Sequence, residues 1–570
     1  MKNRLTPILF VVIFSFLIPL ISSGQNKKHF SEKGMNLPME TLGDPYLPNE
    51  YDNKKVSPAY KYKKTSIAKF TGSTIFTSQV NVDENGNNIL GDAANEPNIA
   101  VNPLNRNLMV IGWRQFDNIL SNFRQAGWGY TTDGGQSWVF PGVLDSGIFR
   151  SDPVLDYDAD GNFFYNSLTI DPDTNYLCKV FKSTSGGDLW ENGIDAGGGD
   201  KQWMAIDRST GSGRGNIYAD WSQYSSSCAP GFFTRSSNGG SSFDSCSEIN
   251  CNPDLGSIAV GNAGELYIAG RDFATGTGLL VAKSLNAQMP ASSIIWNSPV
   301  SVFMDGYINF GFINPNGLLG QAYIDVDRSN GSGQDNVYVL ASLTRVSNLD
   351  LCDVMFAKSS DGGLSWGAPM RINDDTSISN TQWFGTMSVA PNGRIDVVWL
   401  DTRDAQFGSD SSALYYSYSN NQGNTWSTNE KLSESFDPHV GYPNQNKMGD
   451  YIDMVSDDSG ADLAWTNTLN GGQDVYYSRI IPDLATDINE NFKNTSFSFF
   501  PNPSNGNIKI RNEASQFTVS IFNAIGEKVF SFSSDQILCE IDITSQPSGI
   551  YFLKIINQDG RVKVKKLIKE

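Results

Sequence analysis

The sequence predicts an all-β chain, a closed propeller of four-stranded blades followed by a small β-sandwich. One short pattern, Ser/Thr-x-Asp/Asn-x-Gly-x-x-aromatic, recurs through the middle of the chain, and self-similarity of this kind signals a repeat architecture. A polar start followed by an alternating strand also recurs, at spacings of roughly 50 to 65 residues, about one propeller blade with long loops. The composition agrees, with Gly 54, Trp 12, Tyr 22 and Phe 33 in 570 residues. Long helical periodicity is nearly absent.

At the start, Lys2 and Arg4 precede an apolar run from Ile8 to Ile21, and Ser22-Ser23-Gly24 offers small residues for cleavage. Residues 1–24 therefore read as a signal peptide. The run is shorter than the roughly 20 residues a spanning helix needs, and no later stretch qualifies, so no transmembrane segment is expected. Residues 25–72 form a largely irregular leader, and the propeller is expected over 73–483. Its repeat motif reads Thr131-x-Asp133-x-Gly135-x-x-Trp138, Ser236-x-Asn238-x-Gly240-x-x-Phe243, Ser359-x-Asp361-x-Gly363-x-x-Trp366 and Ser419-x-Asn421-x-Gly423-x-x-Trp426. A further copy, Ser183-x-Ser185-x-Gly187-x-x-Trp190, lacks only the acid or amide. Each follows a short strand, as a tight turn requires: the Asp or Asn accepts turn amides, and Gly takes the positive φ.

First strands begin at Glu96, Asp152, Trp203 and Gly256, and near Ala322, Gly385 and Tyr451, giving seven blades, with six the alternative. Two first-to-second turns are near copies, starting at Asp207-Arg208-Ser209 and Asp327-Arg328-Ser329. The last unit ends at Ile480 with no repeat motif after it. A strand within Ser73 to Val82 is expected to complete that blade and close the ring.

The net charge of −19 argues against a nucleic-acid partner, whose binding rests on clustered Lys and Arg. Only His29 and His439 exist, which all but removes Ser-His-Asp, Cys-His and His-rich zinc chemistry. Any catalysis falls to carboxylates, tyrosine or a hard cation. In an exported chain Cys228, Cys246 and Cys251 are close enough for one local disulfide, the pair left open.

After a linker at 484–496, residues 497–570 alternate with period two, as a β-sandwich does. Phe499-Phe500-Pro501-Asn502-Pro503, Gly549-Ile550-Tyr551-Phe552 and the Lys-rich end from Lys563 to Lys569 closely resemble the type A sorting domain of the Bacteroidetes type IX secretion system. That resemblance implies the secretion machinery as a partner, and delivery to the outer-membrane surface or the medium.

The repeat motifs resemble the Asp-boxes, or bacterial neuraminidase repeats, of the sialidase superfamily. In that family the boxes lie on the third-to-fourth turns, away from the ligand-binding face, which carries first-strand starts and second-to-third loops. The resemblance implies a carboxylate held by three arginines, a tyrosine nucleophile activated by a glutamate, and an aspartate acid/base. The matching candidates are Arg114, Arg150, Arg271 and Arg403, Asp152 as acid, and Tyr442 or Tyr451 as nucleophile. This chain departs from the family pattern at Phe149-Arg150-Ser151-Asp152-Pro153, which follows the first Asp-box, and it shows no clear Tyr–Glu pair.

Glu96, Trp113, Trp203, Trp221 and Trp383 are candidate ligand contacts on that face, since aromatic faces stack on sugars. Asp156-x-Asp158-x-Asp160-Gly161 has the alternating oxygens of a calcium loop, with Ser167 where an EF-hand has Glu. Calcium is therefore the one cofactor suggested. Glu96, Asp152, Asp254 and Asp450 form a second candidate ring for a cation. Together these expectations describe an exported propeller that recognises a glycan or other extracellular polymer. The alternatives are an exo-sialidase type of glycoside hydrolase and a non-catalytic adhesion protein.

Overall fold

The computed structural model describes residues 43–50, 55–64, 72–272, 277–290, 292–406, 409–483, 497–512, 517–557 and 562–570. The segments expected to be a signal peptide, 1–24, and a linker, 484–496, lie outside the described residues. The chain divides into two compact units, 1–482 and 483–570.

The first unit is a β-propeller of seven antiparallel sheets. Its inner strands are Ala93–Val101, Ser151–Tyr157, Trp203–Ile206, Asp254–Val260, Tyr323–Val326, Gln382–Val389 and Asp453–Asp457. Each lies beside the inner strand of the next blade, and the seventh beside the first, so the ring closes. Blade 1 shows the plan, with Ala93–Val101, Met109–Phe116, Gln125–Thr131 and Val139–Val143 paired in that order. Blade 3 keeps three strands, and its fourth is reduced to a Phe233–Ser247 bridge beside the Cys228–Cys246 disulfide. Blade 7 is completed by Thr74–Gln79, which pairs antiparallel with Asp474–Ile481 and sets Thr77 opposite Ser478. Lys61–Lys64 adds an outermost strand.

Inner strands of a propeller diverge from one another, so their edge amides lack ladder partners and need others. Polar side chains of the preceding blade supply them. Asn98 accepts the Leu155 amide (2.7 Å), Asp156 that of Ile206 (2.7 Å) and Ser257 that of Ile324 (3.0 Å). Asp325 accepts the amide of Val389 (2.9 Å), Ser388 that of Ser456 (2.9 Å) and Asp453 that of Ile99 (3.1 Å).

The repeated Ser/Thr-x-Asp/Asn-x-Gly turns, those that resemble Asp-boxes, join blades as well as turning the chain. In the first, Thr131 Oγ1 accepts the Gly135 amide (3.1 Å) and Asp133 accepts the Ser137 amide (3.0 Å). Gly135 has φ +81°, and a Cβ there would lie 2.2 Å from the ring of Tyr477 in blade 7. A sixth, degenerate box is present in blade 4: Ser284 bonds Asn286 (3.1 Å), and Asn286 accepts the Ile295 amide (2.8 Å). Blade 7 has no continuous third-to-fourth turn, because its fourth strand comes from the other end of the chain, and it carries no box.

The second unit is a two-sheet sandwich. Phe497–Phe500, Asn507–Asn512 and Leu538–Asp542 form one sheet; Lys528–Ser534, Phe517–Asn523, Gly549–Asn557 and Val562–Lys569 form the other. Ile508, Ile510, Val519, Ile521, Leu553 and Leu567 fill the space between them.

Candidate functional site

Each of the seven inner strands has a residue at positive φ in its first few positions or just before it. These are Glu96 (52°), Asp152 (47°), Lys201 (61°), Leu255 (60°), Gly320 (142°), Phe384 (56°) and Gly449 (98°). In blades 1, 2, 4 and 6 the kink coincides with a bulge against the second strand. A non-glycine residue held at positive φ costs about 1–3 kcal/mol and persists only where its surroundings enforce it.

In blades 1, 2, 3 and 7 the surroundings are a buried ion cluster at the strand-start end of the axis. Lys201 Nζ lies 2.6 Å from Asp450, 3.8 Å from Asp152 and 3.9 Å from Asp200. Lys447 Nζ lies 2.8 Å from Asp450 and 3.3 Å from Glu96, and Arg114 Nε lies 3.0 Å from Glu96. The hairpin of Phe310–Gly311 and Asn314–Leu318 reaches over the cluster. Its Leu318 amide donates to Asp450 (2.8 Å), and Asn314 bonds Met448 (2.9 Å) and Gly449 (2.8 Å).

The carboxyls divide into two kinds. Burial would raise Asp152, but Lys201, then Arg114 and Lys447, hold it down at about 2. Lys201 and Lys447 overcome burial in the same way at Asp450, holding it well below the usual range. Burial prevails at Glu96 and pushes it up to about 7 against Arg114 and Lys447. Asp200 also rises to about 7, by burial and nearby Asp152, against Lys201. Two acids are thus fixed as anions, and two hold protons near neutrality.

Of the sequence candidates, the structure brings together Glu96, Arg114, Asp152, Tyr451 and Trp203. The Tyr451 hydroxyl donates to the Pro153 carbonyl (2.8 Å), and its ring meets that of Trp203 edge-on at 5.4 Å. Burial, then Glu96 and Asp152, push the Tyr451 phenol well above its ordinary value. The other arginines pair within their own blade or with the connection leading into it. Arg150 pairs with Asp145 (2.5 Å), Arg271 with Asp254 (2.9 Å), and Arg403 with Asp374 (2.6 Å) and Asp401 (2.8 Å). No three-arginine pocket forms from them, because each guanidinium is drawn to a carboxylate nearby. Tyr442 donates to the Ile313 carbonyl (3.2 Å), under the hairpin.

Trp113, Trp221 and Trp383 are corrected from ligand contacts to packing residues. All three are buried, and their indoles donate to Gln115 (2.7 Å), Ser226 (2.9 Å) and Ser412 (3.1 Å). The calcium loop is corrected too. Asp156 bonds Arg208 and the Ile206 amide, Asp158 closes its own turn onto the Asp160 amide (3.0 Å), and Asp160 pairs with Arg214 (2.8 Å). Among the described residues no three His, Cys, Asp or Glu side chains are placed to hold a metal ion. The cation ring also fails, since lysines hold Asp152 and Asp450 while Asp254 pairs with Arg271.

Sequence reasoning missed Lys201, Lys447 and Asp200. The available signal was alignment: Lys201-Gln202-Trp203 occupies the register of Glu96-Pro97-Asn98 and Asp152-Pro153-Val154 at the head of an inner strand.

Residues 498–570 match the family described as the secretion system C-terminal sorting domain. The chain thus carries a type IX sorting tail, the address of an exported protein. No helix among the described residues is long and apolar enough to cross a membrane. No curated protein matches the chain. Among solved structures, a protein of unknown function from Dyadobacter fermentans is 14% identical, with 71% of this chain and 98% of that chain covered and a TM-score of 0.41. The Hadza microbial sialidase Hz136 is 12% identical, with 68% and 66% covered and a TM-score of 0.38. The phage phi92 endosialidase is 10% identical, with 88% of each chain covered and a TM-score of 0.40. These are likenesses of fold only.

Proposed function

We propose that this protein is delivered by the type IX machinery to the cell surface or the medium, and there recognises a glycan or another extracellular polymer on its strand-start face without cleaving it. The sorting tail supports export. The observation that carries the non-hydrolytic part is that the groups a sialidase-like reaction needs are already engaged. Asp152 is held ionised and so cannot donate a proton near neutrality. Tyr451 spends its hydroxyl on a backbone carbonyl and is pushed away from the phenolate a nucleophile requires. Binding needs neither group to turn over.

The test is a glycan and polysaccharide array probed with the mature protein, alongside a panel of fluorogenic glycosides that includes sialosides. Array binding without fluorophore release is the expected result. Absence of binding across both neutral and acidic polymers would sink the recognition reading.

One observation favours a second reading, a hydrolase. Glu96 holds a proton up to about 7 beside Arg114 while Asp152 stays ionised, and carboxyls pushed apart in this way suit an acid and a base. Fluorophore release abolished by Glu96→Gln, with the fold intact, would establish it in place of the first.

A further inference from the structure

The opposite end of the axis, where the Asp-boxes lie, holds a cavity of about 260 Å³ lined by the second halves of the inner strands. That is below the roughly 300–1,000 Å³ of sites for drug-sized ligands, so it suits an occupant of about one ring. Its walls include Met204, Ile258, Met387, Val389 and Met454, with Trp203 at the inner end.

Two arginines stand among these walls, and they come from the duplicated turns that the blade plan leaves unexplained. In both copies the aspartate accepts the amide two residues on, Asp207 from Ser209 (2.8 Å) and Asp327 from Ser329 (2.9 Å). The following arginine is thereby delivered to the cavity in blade 3 and again in blade 5. Arg208 Nη1 bonds Asp156 and the Tyr157 carbonyl (2.9 Å), with its guanidinium 4.2 Å over the Tyr157 ring. Arg328 bonds Asp325 through Nη1 (2.7 Å) and the Val260 carbonyl through Nε (2.9 Å). Both side chains remain about one-third exposed, at 32% and 35%. Nε and Nη2 of Arg208 and Nη2 of Arg328 make no hydrogen bond among the described residues.

The charges indicate what fits. Each guanidinium is neutralised by its own aspartate, leaving Asp453 as the third carboxyl of the cavity. Burial, with Asp156 and Asp325 nearby, pushes Asp453 up to about 7 against the amides of Ile99 and Met454. An anionic group entering here meets three carboxyls and no unpaired cation. A neutral polyol meets open guanidinium donors for its hydroxyl oxygens and apolar walls for its C–H faces, and brings no charge for the carboxyls to repel. We propose that this cavity binds a neutral sugar residue, gripped at its hydroxyls by the Arg208–Asp156 and Arg328–Asp325 pairs. The site lies at the other end of the axis from the face invoked above, so either reading can fail without the other.

The experiment uses the mature protein with methyl glycosides of D-galactose, D-glucose, D-mannose and L-fucose. N-acetylneuraminic acid, glucuronic acid and cadaverine serve as charged probes, and binding is followed by saturation-transfer NMR and calorimetry. At least one neutral glycoside is expected to bind in the millimolar range. Arg328→Ala should weaken it by about tenfold or more. Met387→Phe, which fills the cavity while leaving both ion pairs, should do the same. Arg214→Ala, on the same turn as Arg208 but paired with Asp160, should leave it unchanged. The proposal is overturned if no neutral glycoside binds, if only a charged probe binds, or if binding survives Met387→Phe.

Discussion

Lys201 reaches three acids at the strand-start end of the ring, and Lys201→Met removes its charge while keeping most of its length. Its ammonium faces three acids: Asp450 at 2.6 Å and Asp152 at 3.8 Å, both held as anions, and Asp200 at 3.9 Å, which ionises only at about 7. At an effective dielectric of about 20, each such pair is worth on the order of 4 kcal/mol of gross attraction near 4 Å. Much of that is offset by the cost of burying the ammonium. Breaking a buried pair by removing one partner nevertheless costs about 3–5 kcal/mol, because the remaining charges stay buried without compensation. Lys447 still reaches Asp450 at 2.8 Å, so the lower part of that range is expected.

The assay is urea unfolding of the mature protein at several pH values, followed by tryptophan fluorescence. Without Lys201 the three acids titrate higher in the folded protein, so the folded variant binds more protons than the folded wild type at a given pH. Its stability therefore falls more steeply as pH rises, and the gap to wild type should be widest near pH 8 and narrow as the acids protonate. Lys201→Arg should recover part of the loss. A cost below about 1 kcal/mol, or a gap that widens as pH falls, would refute the idea that this ammonium holds the cluster together.

Other predictions concern the ring itself. Gly135→Ala should cost about 2–5 kcal/mol, combining a positive-φ penalty with overlap onto Tyr477, and should lower the melting temperature more than an alanine on an exposed strand. Replacing both Cys228 and Cys246 with serine opens a link of 18-residue separation and should lower stability by about 3 kcal/mol, with no further loss on adding reductant. The wild type should be most stable between about pH 4 and 5. Above that, Glu96, Asp200 and Asp453 hold protons in the folded state up to about 7 that the unfolded chain releases earlier, so stability falls as pH rises through 7. Below it, the depressed Asp152 and Asp450 must take up protons, and stability falls as pH drops toward 2. A melting curve that is flat from pH 5 to 8 would contradict the first half.

The blade plan was legible because it is written in local chemistry. A Ser or Thr, an Asp or Asn, and a Gly at fixed offsets can satisfy one turn without help from elsewhere, so the boxes announce themselves. The blade 4 box was harder to find, because Gln288 stands where the glycine should be and the turn is lengthened before Trp296. The site was less legible, for a different reason. Arg150, Arg271 and Arg403 have the residue type a carboxylate-binding pocket needs, but their partners Asp145, Asp254 and Asp401 lie close by in the chain or across one strand pair. Local pairing wins over convergence across the ring. Lys201 and Asp450 meet from positions 249 residues apart, which no local pattern encodes. The tryptophans failed as sugar platforms because an aromatic near a strand end is as useful between blades as on a surface, and Trp113, Trp221 and Trp383 were used between them.

The strand Thr74–Gln79 lies against Asp474–Ile481, and the Thr77 and Ser478 hydroxyls meet at 2.8 Å across 401 residues of chain. Such a closure cannot form early. The segment made first must wait, with one edge open, until nearly the last propeller residue has been made. A chain broken off anywhere before residue 474 therefore presents two unpaired strand edges rather than a slightly shorter ring, and unpaired edges are sites of aggregation and proteolysis. The sorting tail follows only after residue 497. Its place after the closing strand means that a chain able to display the address has already been given every strand needed to shut the ring, so truncated products lack the sorting signal by sequence order alone.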